Sequence, residues 1–104
     1  MERQSARRGP KHTPVLVQTA LERLGARIVI ARKAREITQE QLAHFSDVSL
    51  STLRTLESGG DGVSTGNLLK VLQGLGLMEQ IETLLDPVRD PEVVAFATRL
   101  TGER

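Results

Sequence analysis

A chain of 104 residues holds one domain with its tails and is too short for two ordinary domains. Its two aromatic residues are Phe45 and Phe96, and it has no cysteine. Any core is therefore aliphatic, which suits packed helices better than sheets, while disulfides, cysteine-type zinc sites and thiol nucleophiles are excluded. The net charge of +1 hides an asymmetry: residues 1–57 carry ten Lys/Arg against six Asp/Glu, and residues 58–104 carry four against seven. The first half suits an anionic partner and the second half does not.

Residues 1–12 (MERQSARRGPKH) are polar and basic and contain Gly9 and Pro10; they read as a flexible arm. No apolar segment behind them has the length of a signal peptide, and no run approaches the ~20 residues that span a bilayer. A cytoplasmic protein without membrane contact is expected. Two starts fit the first helix. Thr13-Pro14 offers proline at the first helical position, and Thr19 with Glu22 offers a capping box. From either start, Leu21, Leu24, Ile28, Ala31 and Arg35 recur at three- and four-residue steps, which predicts one helix to about Arg35.

The next three helix starts share one pattern. Ile37-Thr38-x-x-Gln41-Leu42 sets a capping threonine with a reciprocal glutamine, flanked by a hydrophobic staple. Val48-Ser49-x-x-x-Leu53 and Val63-Ser64-x-x-x-Leu68 repeat the staple around serine caps. Helices are predicted over 39–45, 50–58 and 65–75, with Gly59–Gly62 as a loop and Gly76 as a stop. Met78–Leu85 reads as a fifth short helix ended by Asp86-Pro87. Asp90-Pro91 opens a last helix over Pro91–Leu100. No strand pattern and no internal repeat is present. The fold class is all-α with five or six helices, divided as a 1–12 arm, a 13–86 domain and an 87–104 helix and tail.

The segment Thr38–Glu57 holds two short helices separated by Ser46–Ser49. Leu42, Ala43, Val48, Leu53 and Leu56 stand where two helices crossing at about 90–120° would bury them. Asp47 occupies the turn position where the chain goes left-handed, which aspartate tolerates. The sequence ITQEQLAHFSDVSLSTLRTLESG resembles the helix-turn-helix of the phage-repressor-like (Xre/Cro) family, and the likeness runs from about Leu24 to Leu77. The resemblance implies a DNA-binding transcriptional regulator, most simply a repressor, whose second helix enters the major groove.

On that reading Leu50, Ser51, Arg54 and Thr55, opposite Leu53 and Leu56, are the base-reading candidates. Serine and threonine hydroxyls donate to or accept from bases, arginine grips guanine or a phosphate, and leucine meets a thymine methyl. Gln39 at its helix start and Thr52 are expected phosphate contacts, with a cap as the alternative for Thr52, and so are Arg3, Arg7, Arg8 and Lys11 of the arm. The resemblance also implies that Gln39 can brace the first recognition-helix residue, Leu50. The family often pairs an arginine of the first helix with a glutamate ending the recognition helix; Arg32 and Glu57 stand at the matching places. Leu50 replaces the glutamine found in phage repressors, so the operator does not carry over.

Val93, Phe96, Ala97 and Leu100 form an apolar stripe on the last predicted helix, expected to pack on its own domain or on a second copy. Leu77, Ile81, Leu84 and Leu85 extend the expected dimer or partner interface. The size and the closing Leu-Gly-Leu also resemble HipB-type antitoxins, which implies a HipA-type kinase toxin as partner. The alternatives are a stand-alone regulator and a protein-interaction adaptor on the same fold. His44 and His12 have no partners at metal-ligand spacing, and no catalytic set is visible. No enzyme activity, metal or cofactor is expected.

Overall fold

The computed structural model describes residues 12–102. Among these residues it is all-helical: α1 (Val15–Ala34), α2 (Gln39–Ser46), α3 (Leu50–Glu57), α4 (Thr65–Leu75) and α5 (Pro91–Thr101), with two 3-10 helices at Met78–Thr83 and Pro87–Arg89. The cap grammar sets the middle boundaries. The Thr38 hydroxyl accepts from the Gln41 N–H at 3.0 Å, and the Gln41 side chain accepts from the Thr38 N–H at 2.8 Å. Ser49 and Ser64 accept from the N–H groups of Thr52 and Asn67 in the same way. These bonds satisfy backbone donors that a helix start otherwise leaves unpaired.

One boundary left open is resolved, in favour of the Thr13-Pro14 start, and one expected boundary is corrected. Helix α1 begins at Val15 behind Pro14, which has no capping side chain, so Thr19 lies within the helix and starts nothing. The segment after Gly76 is a 3-10 helix that ends at Thr83. Beyond it Leu84 is extended, and Leu85 adopts a positive φ of 59°. A six-residue segment without a fully buried residue gains little packing to reward regular α geometry.

The core is aliphatic. Ile28, Leu42, Ala43, Leu53, Leu56, Val71 and Leu75 are buried, and Leu24, Ala31, Ile37, Val48, Val63, Leu68 and Leu77 pack around them. All three staple residues, Ile37, Val48 and Val63, are thus part of the packing. Both phenylalanines, Phe45 and Phe96, stand exposed. Arg35, expected on the buried stripe of α1, is also exposed. Its guanidinium instead donates to the carbonyls of Ala31 and Leu75, tying α1 to the end of α4.

Helix α1 lies against α3, and α2 lies against both α3 and α4. The first contact is set by Gly25, where a Cβ would stand 2.6 Å from the backbone oxygens of Leu56 and Glu57. The second is set by Gly74, where a Cβ would collide with the side chain of Ser46. Backbone has little room to yield in a packed interior. Gly25→Ala is therefore expected to lower unfolding free energy by about 1–3 kcal/mol, despite alanine's better helix propensity, as measured by the shift in a urea unfolding midpoint. An unchanged midpoint would show that α1 and α3 separate freely.

Helix α5 is the exception to this packing. It lies against the Pro87–Arg89 turn, and none of its residues is buried. Of the two packings expected for Val93, Phe96 and Leu100, on their own domain or on a second copy, the first is not found: all three are exposed, Leu100 by 70%. Short 3-10 segments and the sharp turn at Leu85 direct the chain away from the core before α5 begins. Among the described residues no helix is long and apolar enough to cross a membrane.

Candidate nucleic-acid interface

The turn between α2 and α3 is three residues long, from Asp47 to Ser49. Asp47 takes the left-handed conformation at φ 55°, ψ 46°, and its N–H bonds back to α2 carbonyls. Val48 then buries its side chain against the core while Ser49 caps α3. One tight turn thus sends α3 across α2 at a fixed angle. Lys70 of α4 supports the turn, its ammonium 3.3 Å from the Asp47 carbonyl and 3.8 Å from its carboxylate.

Leu53 and Leu56 face inward and are buried, so the opposite face of α3 is open. Ser51, Arg54 and Thr55 are all exposed on it. Leu50, at the first position of α3, is half-buried, which leaves part of its side chain for contact. The Thr55 hydroxyl donates to the Ser51 carbonyl at 3.0 Å and keeps its acceptor lone pairs free. Ser58, one residue beyond the helix, continues the same stripe and is exposed. Its spacing of seven from Ser51 was the available signal, and the predicted 50–58 helix already contained it.

Thr52 is half-buried, and its hydroxyl accepts from the capping Ser49 hydroxyl at 2.8 Å. Its first role is thus local. Arg3, Arg7, Arg8 and Lys11 lie outside the described residues. Leu77 packs against the core, Ile81 is half-buried, and Leu84 and Leu85 are exposed.

The main electrostatic feature joins α1 to the end of α3. Arg32 donates through Nε to Glu57 Oε2 at 2.7 Å and through Nη2 to Oε1 at 3.1 Å. Its Nη1 donates to the Ile37 carbonyl at 3.1 Å. The side chains are only 11% and 5% exposed. Hydrogen bonding to Glu57 raises the Arg32 pKa above its usual value, against the opposing effect of burial. Glu57 Oε1 accepts a further bond from Gln39 Nε2 at 2.9 Å, and Gln39 Oε1 accepts from Arg54 Nε at 3.3 Å. Arg32, Glu57, Gln39 and Arg54 thus form one chain of bonds from the interior to the open face of α3. The sequence placed these residues in three separate roles; the fold connects them.

The Ser46 hydroxyl is buried without a partner beside Gly74. No group of His, Asp and Glu residues among those described is arranged to hold a metal ion. Removing one member of a buried pair leaves the other charge desolvated and alone, at about 3–5 kcal/mol. Arg32→Met is therefore expected to lower stability by that order in thermal or urea unfolding. Arg32→Met combined with Glu57→Leu is expected to recover part of the loss; equal stability of both variants would show that the pair adds no constraint.

Residues 28–77 match a family model described as helix-turn-helix. No curated protein and no solved structure matches the chain. The match begins at the buried Ile28 of α1 and closes at Leu77, where the packed core ends. It therefore contains the whole Arg32–Glu57 brace and the open face of α3. Over these residues the chain is a helix-turn-helix domain of the phage-repressor-like (Xre/Cro) family, a family of DNA-binding transcriptional regulators rather than enzymes.

Proposed function

We propose that this protein is a sequence-specific operator-binding repressor that acts as a homodimer. Residues 13–86 would form its DNA-reading unit and residues 87–104 its dimerising one. The observation that carries the reading is the open face of α3: Ser51, Arg54 and Thr55 are exposed together on a helix whose other face is locked into the core. Serine, arginine and threonine are side chains that read base edges. Helix α2 starts beside this face at Gln39, which supports a phosphate contact through its first N–H groups and the Gln39 amide.

The dimer follows from α5. Val93, Phe96 and Leu100 form an exposed stripe, with Leu84, Leu85 and Val88 exposed before it. An apolar helix face left open by its own domain calls for a partner. Glu92 and Arg99 lie seven residues apart in α5, on the same edge of that stripe. In an antiparallel pair of α5 helices, Glu92 of each copy meets Arg99 of the other, so the face complements itself, as a two-fold interface requires. A dimer also matches a two-half-site operator. The HipB-type antitoxin reading rests on the resemblance, and it would assign the same exposed face to a kinase toxin.

Two experiments test the proposal. Ser51→Ala and Thr55→Ala should each weaken binding to a selected site by about 1–3 kcal/mol while sparing non-specific affinity. An equal loss on all sequences would make these residues phosphate contacts. Phe96→Glu with Leu100→Glu should convert the dimer to a folded monomer in sedimentation equilibrium. A wild-type chain that is already monomeric would assign the stripe to a different protein.

A further inference from the structure

The bonds around Gln39 carry a more specific statement, which rests on the reading of α3 as the DNA-contacting helix. We infer that Gln39 is a positioning residue for Arg54, and that it commits Arg54 to reading a guanine through both terminal nitrogens.

An amide side chain can be turned either way, and its neighbours decide which. Here Glu57 decides. Its Oε1, already accepting from Arg32 Nη2 at 3.1 Å, accepts from Gln39 at 2.9 Å. An ionised carboxylate only accepts, so the Gln39 nitrogen must face it. The Gln39 oxygen is then turned toward Arg54, where it accepts from Nε at 3.3 Å. The orientation of an exposed arginine on α3 is thus set by a carboxylate that is only 5% exposed and is itself held by α1.

The consequence for recognition is geometric. Arginine grips guanine O6 and N7 with two parallel N–H groups. Either Nε works with one terminal nitrogen, or the two terminal nitrogens work together. With Nε engaged by Gln39, the side-on arrangement is closed, and the end-on arrangement remains open. The restraint also reduces the rotamer freedom that Arg54 loses on binding, which strengthens the contact without adding one. Gln39 retains a second amide hydrogen, so a phosphate contact at the start of α2 is compatible with this role.

The test uses the full chain and a duplex recovered by in vitro selection from random DNA. Affinities are measured for that site and for the same site with each guanine replaced in turn by adenine. The wild-type protein and the Gln39→Ala, Arg54→Ala and doubly substituted variants are compared. Arg54→Ala should abolish a preference of roughly 5- to 150-fold at one guanine. Gln39→Ala should reduce the preference at that same guanine, and the double variant should be no less selective than Arg54→Ala alone. Equal weakening of guanine and adenine sites by Gln39→Ala would overturn the proposal, as would losses that add in the double variant.

A second readout needs no DNA. The Arg54 Nε–H group should be ordered in NMR relaxation of the free wild-type protein and mobile in Gln39→Ala. Equal mobility in both would overturn the relay itself. Loss of order in the variant without any sequence preference in the wild-type protein would overturn the guanine assignment through the DNA reading, leaving the side-chain relay standing.

Discussion

The buried pairing of Arg32 with Glu57 is the constraint on which the rest of the domain depends. It joins the last turn of α1 to the last residue of α3, and Arg32 also reaches the Ile37 carbonyl ahead of α2. One guanidinium therefore references three parts of the chain to one another. Such a pair adds little net stability relative to an apolar replacement, because both charges are desolvated. What it supplies here is geometry. The start of α3 is held by the Val48 staple and the Ser49 cap, and its end by Glu57, so its exposed face is presented in one orientation.

Around that brace the helices meet at close range. Gly25 brings α1 onto the carbonyls that end α3, and Gly74 brings α4 onto Ser46 of α2. These approaches leave no slack for α3 to rotate, and a surface that reads base edges needs that rigidity. Helix α5 contrasts with this. With no buried residue, it gains its order from its own caps: Asp90 accepts from the N–H groups of Glu92 and Val93, and Pro91 opens the helix. The protein thus divides into a packed unit that presents one face of α3 and a helix whose apolar stripe is left exposed.

Much of this was legible in the sequence because the signals were local. Staples and caps at Thr38, Ser49 and Ser64 fixed α2, α3 and α4 to within a residue. The buried leucines followed from their spacing, and Arg32–Glu57 followed from the family resemblance. The errors came where tertiary context decides. Residues 78–85 have helical spacing but only Ile81 is even half-buried among them, so little packing rewards a regular α-helix and they form a shorter, tighter turn. The stripe on α5 has a buried-helix pattern, yet a pattern does not say which surface covers it. The resemblance set Gln39 against the first residue of α3, whereas its bonds run to Glu57 and Arg54, 18 and 15 positions away, beyond the reach of helical spacing. The close approaches at Gly25 and Gly74 had no local signal, because sequence spacing does not say which neighbour a helical glycine meets.

The central claim is that the outer face of α3, held by the interior brace, is the surface that meets DNA. Amide chemical-shift mapping of the full chain titrated with its selected duplex tests this most directly. The account predicts the largest changes at the start of α2 around Gln39 and along Leu50–Ser58, with α5 and the 78–83 segment little affected. Changes concentrated on α5, with α3 unmoved, would contradict it.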